Sequence, residues 1–320
     1  METQVSASPN SSQEIIPLAL YDDKLFTLDF IWLYKTCKKK ENGIKITEAS
    51  TELQAIKDRL KQCYETFVHQ NSQLLGSGAT DQASIPQVAF CSPEACVLAI
   101  NEHKEDLQVV THGLPSKYED FWCMKVAMSA KRQSDGRRPT LAVKRYPDAA
   151  HWFHANSMVN YLEDETAKKK SMPKLHTGKS TKSLDTKAAV ANWRSLEGPL
   201  CASIQYTHAV LRAARRFPLP GDKGNEAIHA SHKCHNPWCG RSKHLIIEPA
   251  NTNEDRKQCA GIIICNTCFK IIAQVCNHPE DPCIRVCLST CGDCGFSYSV
   301  KRNQPEELET ISRILKKHKQ

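Results

Sequence analysis

No apolar run in the chain approaches the ~20 residues that a membrane-spanning helix needs. The longest, "FIWLY" and "GIIIC", stop far short of it. The N-terminus "METQVSASPN" has neither an apolar core nor a small-residue cleavage site, so the marks of a secretory signal are missing. A Gly-rich phosphate loop is lacking too, and so is any internal repeat, which argues against P-loop and solenoid architectures. These absences lead to the expectation of a soluble intracellular protein with no membrane partner.

What the sequence has is cysteine and positive charge. The chain carries 16 cysteines in 320 residues and a formal net charge of +8. In a reducing compartment, clustered cysteines point to metal rather than disulfides. Clustered Lys and Arg favour an anionic partner such as nucleic acid. The length is more than one core usually fills, so two domains are expected.

Cysteine density divides the chain. Cys37, Cys63, Cys91, Cys96 and Cys123 are scattered without metal spacing and read as small buried apolar residues. The other eleven fall between Cys201 and Cys294. Residues 1–16 are rich in Ser, Asn and Gln and are expected to be disordered. Residues 17–165 form a mixed α/β region of no readable role. Within it, Leu53, Ile56, Leu60, Cys63 and Phe67 follow helical spacing and mark a core stripe. Arg137, Arg138, Lys144 and Arg145 form a basic patch, read first as a solvated face and alternatively as a phosphate contact.

Residues 166–192 are expected to be a flexible basic linker, because "KKKSMPKLHTGKSTKSLDTK" holds seven lysines and one acid. Such a stretch also suits a nuclear address or a DNA tether. Residues 193–300 are the expected metal domain, with "ASIQYTHAVLRAARRF" helical, "NEAIHASH" and "KHLIIEP" as strands, and "NTNEDRKQ" as a helix start. Residues 301–320 are expected to be a basic C-terminal helix.

Three ligand sets emerge. Cys234, Cys239 and His244 follow Cys-x4-Cys-x4-His spacing and suit a tetrahedral zinc, with Cys201 as fourth ligand and Cys287 as the fallback. Cys276, His278 and Cys283 lie in "CNHPEDPC", and Cys259 can close that shell. Cys265-x2-Cys268 and Cys291-x2-Cys294 pair as in a four-cysteine zinc ribbon, although ligands could be shared otherwise with the second set. Two or three structural Zn²⁺ ions are expected, because short strands give a thin core that zinc would have to reinforce.

His232 and Asn253 belong to no zinc shell. His232 ends the first expected strand and Asn253 lies in the first turn of the following helix, so a hairpin followed by a helix can bring them together. A neutral imidazole can take a proton from water, and an amide oxygen can help hold one Mg²⁺. Taken singly, a structural histidine and an Asn helix cap would suffice.

Here the chain resembles the His-Cys box homing endonucleases, a branch of the His-Me finger (ββα-metal) nucleases. The resemblance lies in "SHKCHNPWC", "KHLIIEP", "NEDRKQC" and "CNHPEDPC", over about Cys201 to Cys283. It implies an α+β fold with a small zinc-stabilised ββα-metal domain. It also implies cleavage of DNA, double-stranded above all, to 5′-phosphate and 3′-hydroxyl ends, and a possible homodimer. By the same resemblance His232 is the general base, Asn253 the ligand of the catalytic Mg²⁺, and Cys234, Cys239, His244, Cys259, Cys276, His278 and Cys283 the zinc ligands. The family's phosphate-side arginine falls to Arg212, Arg215 or Arg216. His235 is the rival base, and Arg256 and Lys257 are possible phosphate contacts. The alternative to an enzyme is an inactive zinc module that binds DNA or protein on the same scaffold.

Overall fold

A computed structural model describes residues 22–46, 50–76, 85–127, 138–164, 201–220 and 228–294. The expectations for residues 1–16, 166–192 and 301–320 lie outside the described residues. In chain order the helices are α1 (Asp23–Glu41), α2 (Ser50–Gln70), α3 (Ser72–Leu75), α4 (Pro93–Glu102), α5 (Pro147–Glu163), α6 (Tyr206–Ala213) and α7 (Ala250–Lys257). The strands are β1 (Leu107–Val110), β2 (Cys123–Val126), β3 (Thr140–Lys144), β4 (Cys201–Gln205), β5 (Ile228–His232), β6 (Leu245–Pro249), β7 (Ile262–Cys265), β8 (Ile271–Gln274) and β9 (Val286–Ser289). Helices mixed with small sheets make the fold α+β. Among the described residues no helix is long and apolar enough to cross a membrane.

Two compact units are present, each built from two separate stretches of chain: residues 1–72 with 145–200, and residues 73–144 with 201–320. The first is helical, built from α1, α2 and α5. Asp22 starts α1 by accepting hydrogen bonds from the Lys24 and Leu25 N–H groups, and Lys38, Lys39 and Lys40 fall in its last turn, where the helix dipole favours cations. Its buried residues Phe26, Phe30, Leu33 and Cys37 recur at helical spacing. Both α1 and α2 pack on α5, and α2 buries Ile56, Leu60, Cys63, Tyr64 and Phe67, the expected stripe with Tyr64 buried and Leu53 only half-buried. The rings of Tyr64 and Trp152 of α5 lie tilted against each other with centroids 4.8 Å apart. Lys40 Nζ donates to the carbonyls of Tyr161, Leu162 and Asp164 at 2.8–3.0 Å, closing the C-terminus of α5. Burial pushes the thiols of Cys37 and Cys63 up to about 12, as befits inert core cysteines.

Among the described residues the second unit holds all the sheets, in three antiparallel pairs and one triplet. β1 pairs with β2, β3 with β4, and β5 with β6, while β7 lies between antiparallel β8 and parallel β9. Here the structure corrects one helical expectation: Cys201–Gln205 is a strand. Ala202 and Ile204 are buried while Cys201 and Ser203 are exposed, a period of two that fits pairing with β3 and not a helix. The helix begins only at Tyr206 and packs on α4, which Ser92 caps by accepting from the Ala95 N–H at 3.0 Å. α7 follows β6 directly and packs on both strands of the β5–β6 hairpin, giving the strand–strand–helix order.

Candidate metal and catalytic centre

Three sets of four side chains converge, each with all its ligand atoms within 4.8 Å of one another. Each set offers only thiolates and imidazoles, the donors zinc prefers in a closed tetrahedral shell.

The first set is Cys123, Cys234, Cys239 and His244, all buried. Cys234 and Cys239 lie in the β5–β6 connection and His244 immediately precedes β6. The fourth ligand comes from β2, through Cys123. His244 Nδ1 lies 3.6 Å from Cys239 Sγ and 3.8 Å from Cys123 Sγ. Its other nitrogen, Nε2, donates to the Asp120 carbonyl at 2.7 Å, which fixes the tautomer that leaves Nδ1 for metal. His112 Nε2 approaches Cys123 Sγ at 3.4 Å. The backbone joins the same elements: Val126 N–H donates to Trp238 O and Gly240 N–H to Met124 O. Gly240 must be glycine, because a Cβ there would lie 2.3 Å from the Tyr206 ring.

This geometry corrects the expected fourth ligand. Cys201 is exposed on β4 opposite Lys144 and joins no cluster among the described residues. The fallback, Cys287, instead donates from β9 to the Ala260 carbonyl at 3.5 Å. Cys123 was missed because it precedes His244 by 121 positions, with no neighbouring ligand to announce it.

The second set is Cys259, Cys276, His278 and Cys283. His278 Nδ1 lies 3.4 Å from Cys276 Sγ and 3.7 Å from Cys283 Sγ. Burial opposes ionisation of Cys276, but the N–H donors of Cys283 and His278 hold its thiol down at about 6, as a metal-ready thiolate requires. Arg256 braces this set. Its Nη1 donates to Cys283 Sγ at 3.3 Å and to the Asp281 carbonyl, while Nε and Nη2 grip Glu248 of β6. Arg256 is therefore an almost fully buried strut rather than an exposed phosphate contact.

The third set is Cys265, Cys268, Cys291 and Cys294. It sits at the end of the β8–β7–β9 sheet, with Cys268 Sγ 3.6 Å from Cys291 Sγ. The N–H groups of Cys268, then Cys291 and Thr267, donate to Cys265 Sγ and, against burial, lower its thiol to about 5.

A cavity of about 830 Å³ is lined by Cys234 of the first set and by Arg256, which braces the second. His232, Asn253, His229, Arg138, Lys257 and Arg285 are among the residues that line it. His232 closes β5, and its ring bonds to the Cys239 main chain. Its Nε2 is buried with no hydrogen-bond partner among the described residues, so the nitrogen facing Cys239 is Nδ1. Burial, first of all, lowers the imidazole to about 4, which leaves it neutral near pH 7. Asn253, on α7, donates from Nδ2 to His229 Nδ1 at 3.1 Å.

The rival base His235 also lines the cavity, in a left-handed conformation (φ 58°), and burial followed by Arg285 and Arg256 lowers its imidazole to about 4. The expected arginines are not there. Arg212 is fully buried, with Nε donating to the Cys91 carbonyl. Arg215 pairs on the surface with Glu94 at 2.7 Å, and Arg216 donates to the Leu245 carbonyl. All three follow the buried face of α6 or its end, which turns them away from the cavity. Arg138, in the basic patch ahead of β3, is the arginine that does line it with an exposed side chain.

No curated protein and no solved structure matches the chain. Residues 167–290 match one family, described as the zinc-binding loop region of homing endonuclease. They contain the β5–β6 hairpin, α7, all of the second ligand set and three ligands of the first. With its metal-ligand clusters and its strand–strand–helix order, this part of the chain is similar to the zinc-binding loop region of homing endonuclease.

Proposed function

We propose that the second unit is the nuclease domain of a zinc-stabilised, Mg²⁺-dependent DNA endonuclease. The observation that carries the reading is the pairing of His232 and Asn253 on one cavity, with the first ligand set behind the histidine and the second braced to the asparagine's helix. With Nδ1 engaged by the Cys239 carbonyl, His232 presents the Nε2 lone pair. That nitrogen removes a proton from the water that attacks phosphorus. Arg138 draws the phosphate in and offsets charge that develops on its oxygens. Lys257 adds positive charge at the rim.

The donor set at Asn253 suits Mg²⁺. Its Nδ2 is occupied by His229, so the oxygen Oδ1 is the end left to ligate, and Mg²⁺ keeps most of its waters when one or two protein oxygens hold it. When bound there, the ion supplies charge stabilisation at the phosphate and the leaving 3′ oxygen. The products are 5′-phosphate and 3′-hydroxyl ends. The lysine-rich segment around residues 168–187 suits a nuclear address.

Plasmid nicking with Mg²⁺ tests the reading. Wild type nicks, and His232→Ala is slower by ~10²–10⁴-fold. Equal rates in the two proteins would remove His232 as the base. Salt-sensitive DNA binding without nicking would reduce the domain to a binding module.

A further inference from the structure

β5 and β6 pair so that His229 lies directly opposite Glu248. Side chains opposite each other in an antiparallel pair share a face of the sheet. Each of these two reaches one residue of α7. Glu248 takes the Arg256 guanidinium at 2.8–3.2 Å, and His229 takes the Asn253 amide at 3.1 Å. Asn253 and Arg256 are three apart and so lie on one face of the helix. The hairpin thus grips α7 at two points one turn apart, and they do different work. The Glu248–Arg256 pair fixes where the helix lies. It does not decide which end of the Asn253 carboxamide faces the cavity.

That choice matters, because the two ends of an amide are opposite in kind: Nδ2 only donates and Oδ1 only accepts. A histidine Nδ1 that accepts from Nδ2 turns Oδ1 away from itself. We infer that His229 is a positioning residue: by accepting the Asn253 Nδ2–H it orients Oδ1 toward the cavity as the oxygen for a divalent cation. This rests on the nuclease reading for the use of the cation, but not for the hydrogen bond itself. The role requires the His229 Nδ1 lone pair to accept, with the ring proton on Nε2. The reverse arrangement, with Nδ1–H donating to Oδ1, would face the cavity with an NH₂ group that no cation accepts.

The test uses the full-length, zinc-loaded protein with duplex DNA and follows Mn²⁺ binding by electron paramagnetic resonance. Asn253→Ala identifies the site by abolishing it. His229→Ala weakens Mn²⁺ by roughly 10–100-fold, as loss of an orienting partner does. His229→Gln, whose Oε1 accepts the same N–H, restores most of the affinity. ¹⁵N spectra of wild type locate the His229 proton on Nε2. A proton on Nδ1 overturns the inference, as does unchanged Mn²⁺ affinity in His229→Ala or a glutamine variant as weak as the alanine one. The outcomes separate from those of the nuclease reading. An Asn253-dependent Mn²⁺ site in a wild type that never cuts DNA sinks the enzyme and leaves the positioning role standing. Cleavage by wild type with Mn²⁺ affinity indifferent to His229 sinks the positioning role alone.

Discussion

Cys123→Ala is the sharpest test of how the second unit is held together. Cys123 lies on β2 and closes the first ligand set from outside the hairpin that supplies the other three, and all four are buried. Removing its thiolate leaves three ligands and an open coordination position, which a structural site does not tolerate well. A structural zinc contributes ~10–16 kcal/mol of apparent binding free energy. A whole domain is stable by only ~5–15 kcal/mol. Loss of this ion is therefore comparable to everything holding the unit together. Cys201→Ala is the matched control: its side chain is exposed and in no cluster, so the change falls within about 0.5 kcal/mol. Native mass spectrometry is expected to count three zinc ions in wild type and in Cys201→Ala, one for each set, and fewer in Cys123→Ala. Amide exchange should rise through residues 107–126 in the latter. A Cys123→Ala protein that keeps its full zinc count, or a Cys201→Ala protein that loses an ion, refutes the assignment.

Four further outcomes are expected. Glu248→Ala strands the buried Arg256 charge, with side chains only 5% and 4% exposed in the pair. It should lower stability by about 3–5 kcal/mol in a thermal melt, whereas an apolar replacement of both partners should cost far less. Cys268→Ala removes one zinc from the third, half-exposed set, and metal counting should show the other two ions retained. Arg138→Ala should weaken DNA binding and lower the slope of log K against log salt by about 1; an unchanged slope means Arg138 meets no phosphate. Lys40→Met opens the C-terminus of α5 and should destabilise the helical unit by about 1–3 kcal/mol, read by chemical denaturation.

The sequence was most legible where chemistry is local. The strands ending at His232 and Pro249, the helix carrying Asn253 and the ligand spacings within Cys234–His244 and Cys276–Cys283 depend on neighbours a few residues away. What failed depended on distance. Cys123 looked like a core cysteine because, like Cys37, Cys63 and Cys96, it stands with no second ligand at metal spacing; only β2 lying against the zinc loop distinguishes it. The arginines after Val210 looked suited to phosphate, yet α6 turns Arg212 into the core, where it meets the Cys91 carbonyl. Residues 201–205 were masked by the stronger helical pattern that starts at Tyr206. His229 carried no signal, since a lone histidine on a strand is unremarkable until its partner across the turn is known.

Lys144 and Cys201 are cross-strand partners, so the chain leaves the second unit and re-enters it at a single rung of one ladder. The stretch between includes α5 of the helical unit and has its two ends side by side on the second unit, and the entropy of such an excursion grows only slowly with its length. The second unit therefore tolerates a nick: severed between α5 and β4, the two pieces still share the β3–β4 ladder and the Cys123 metal clasp. Complementation of separately made halves, dependent on zinc, is the behaviour such a topology entails.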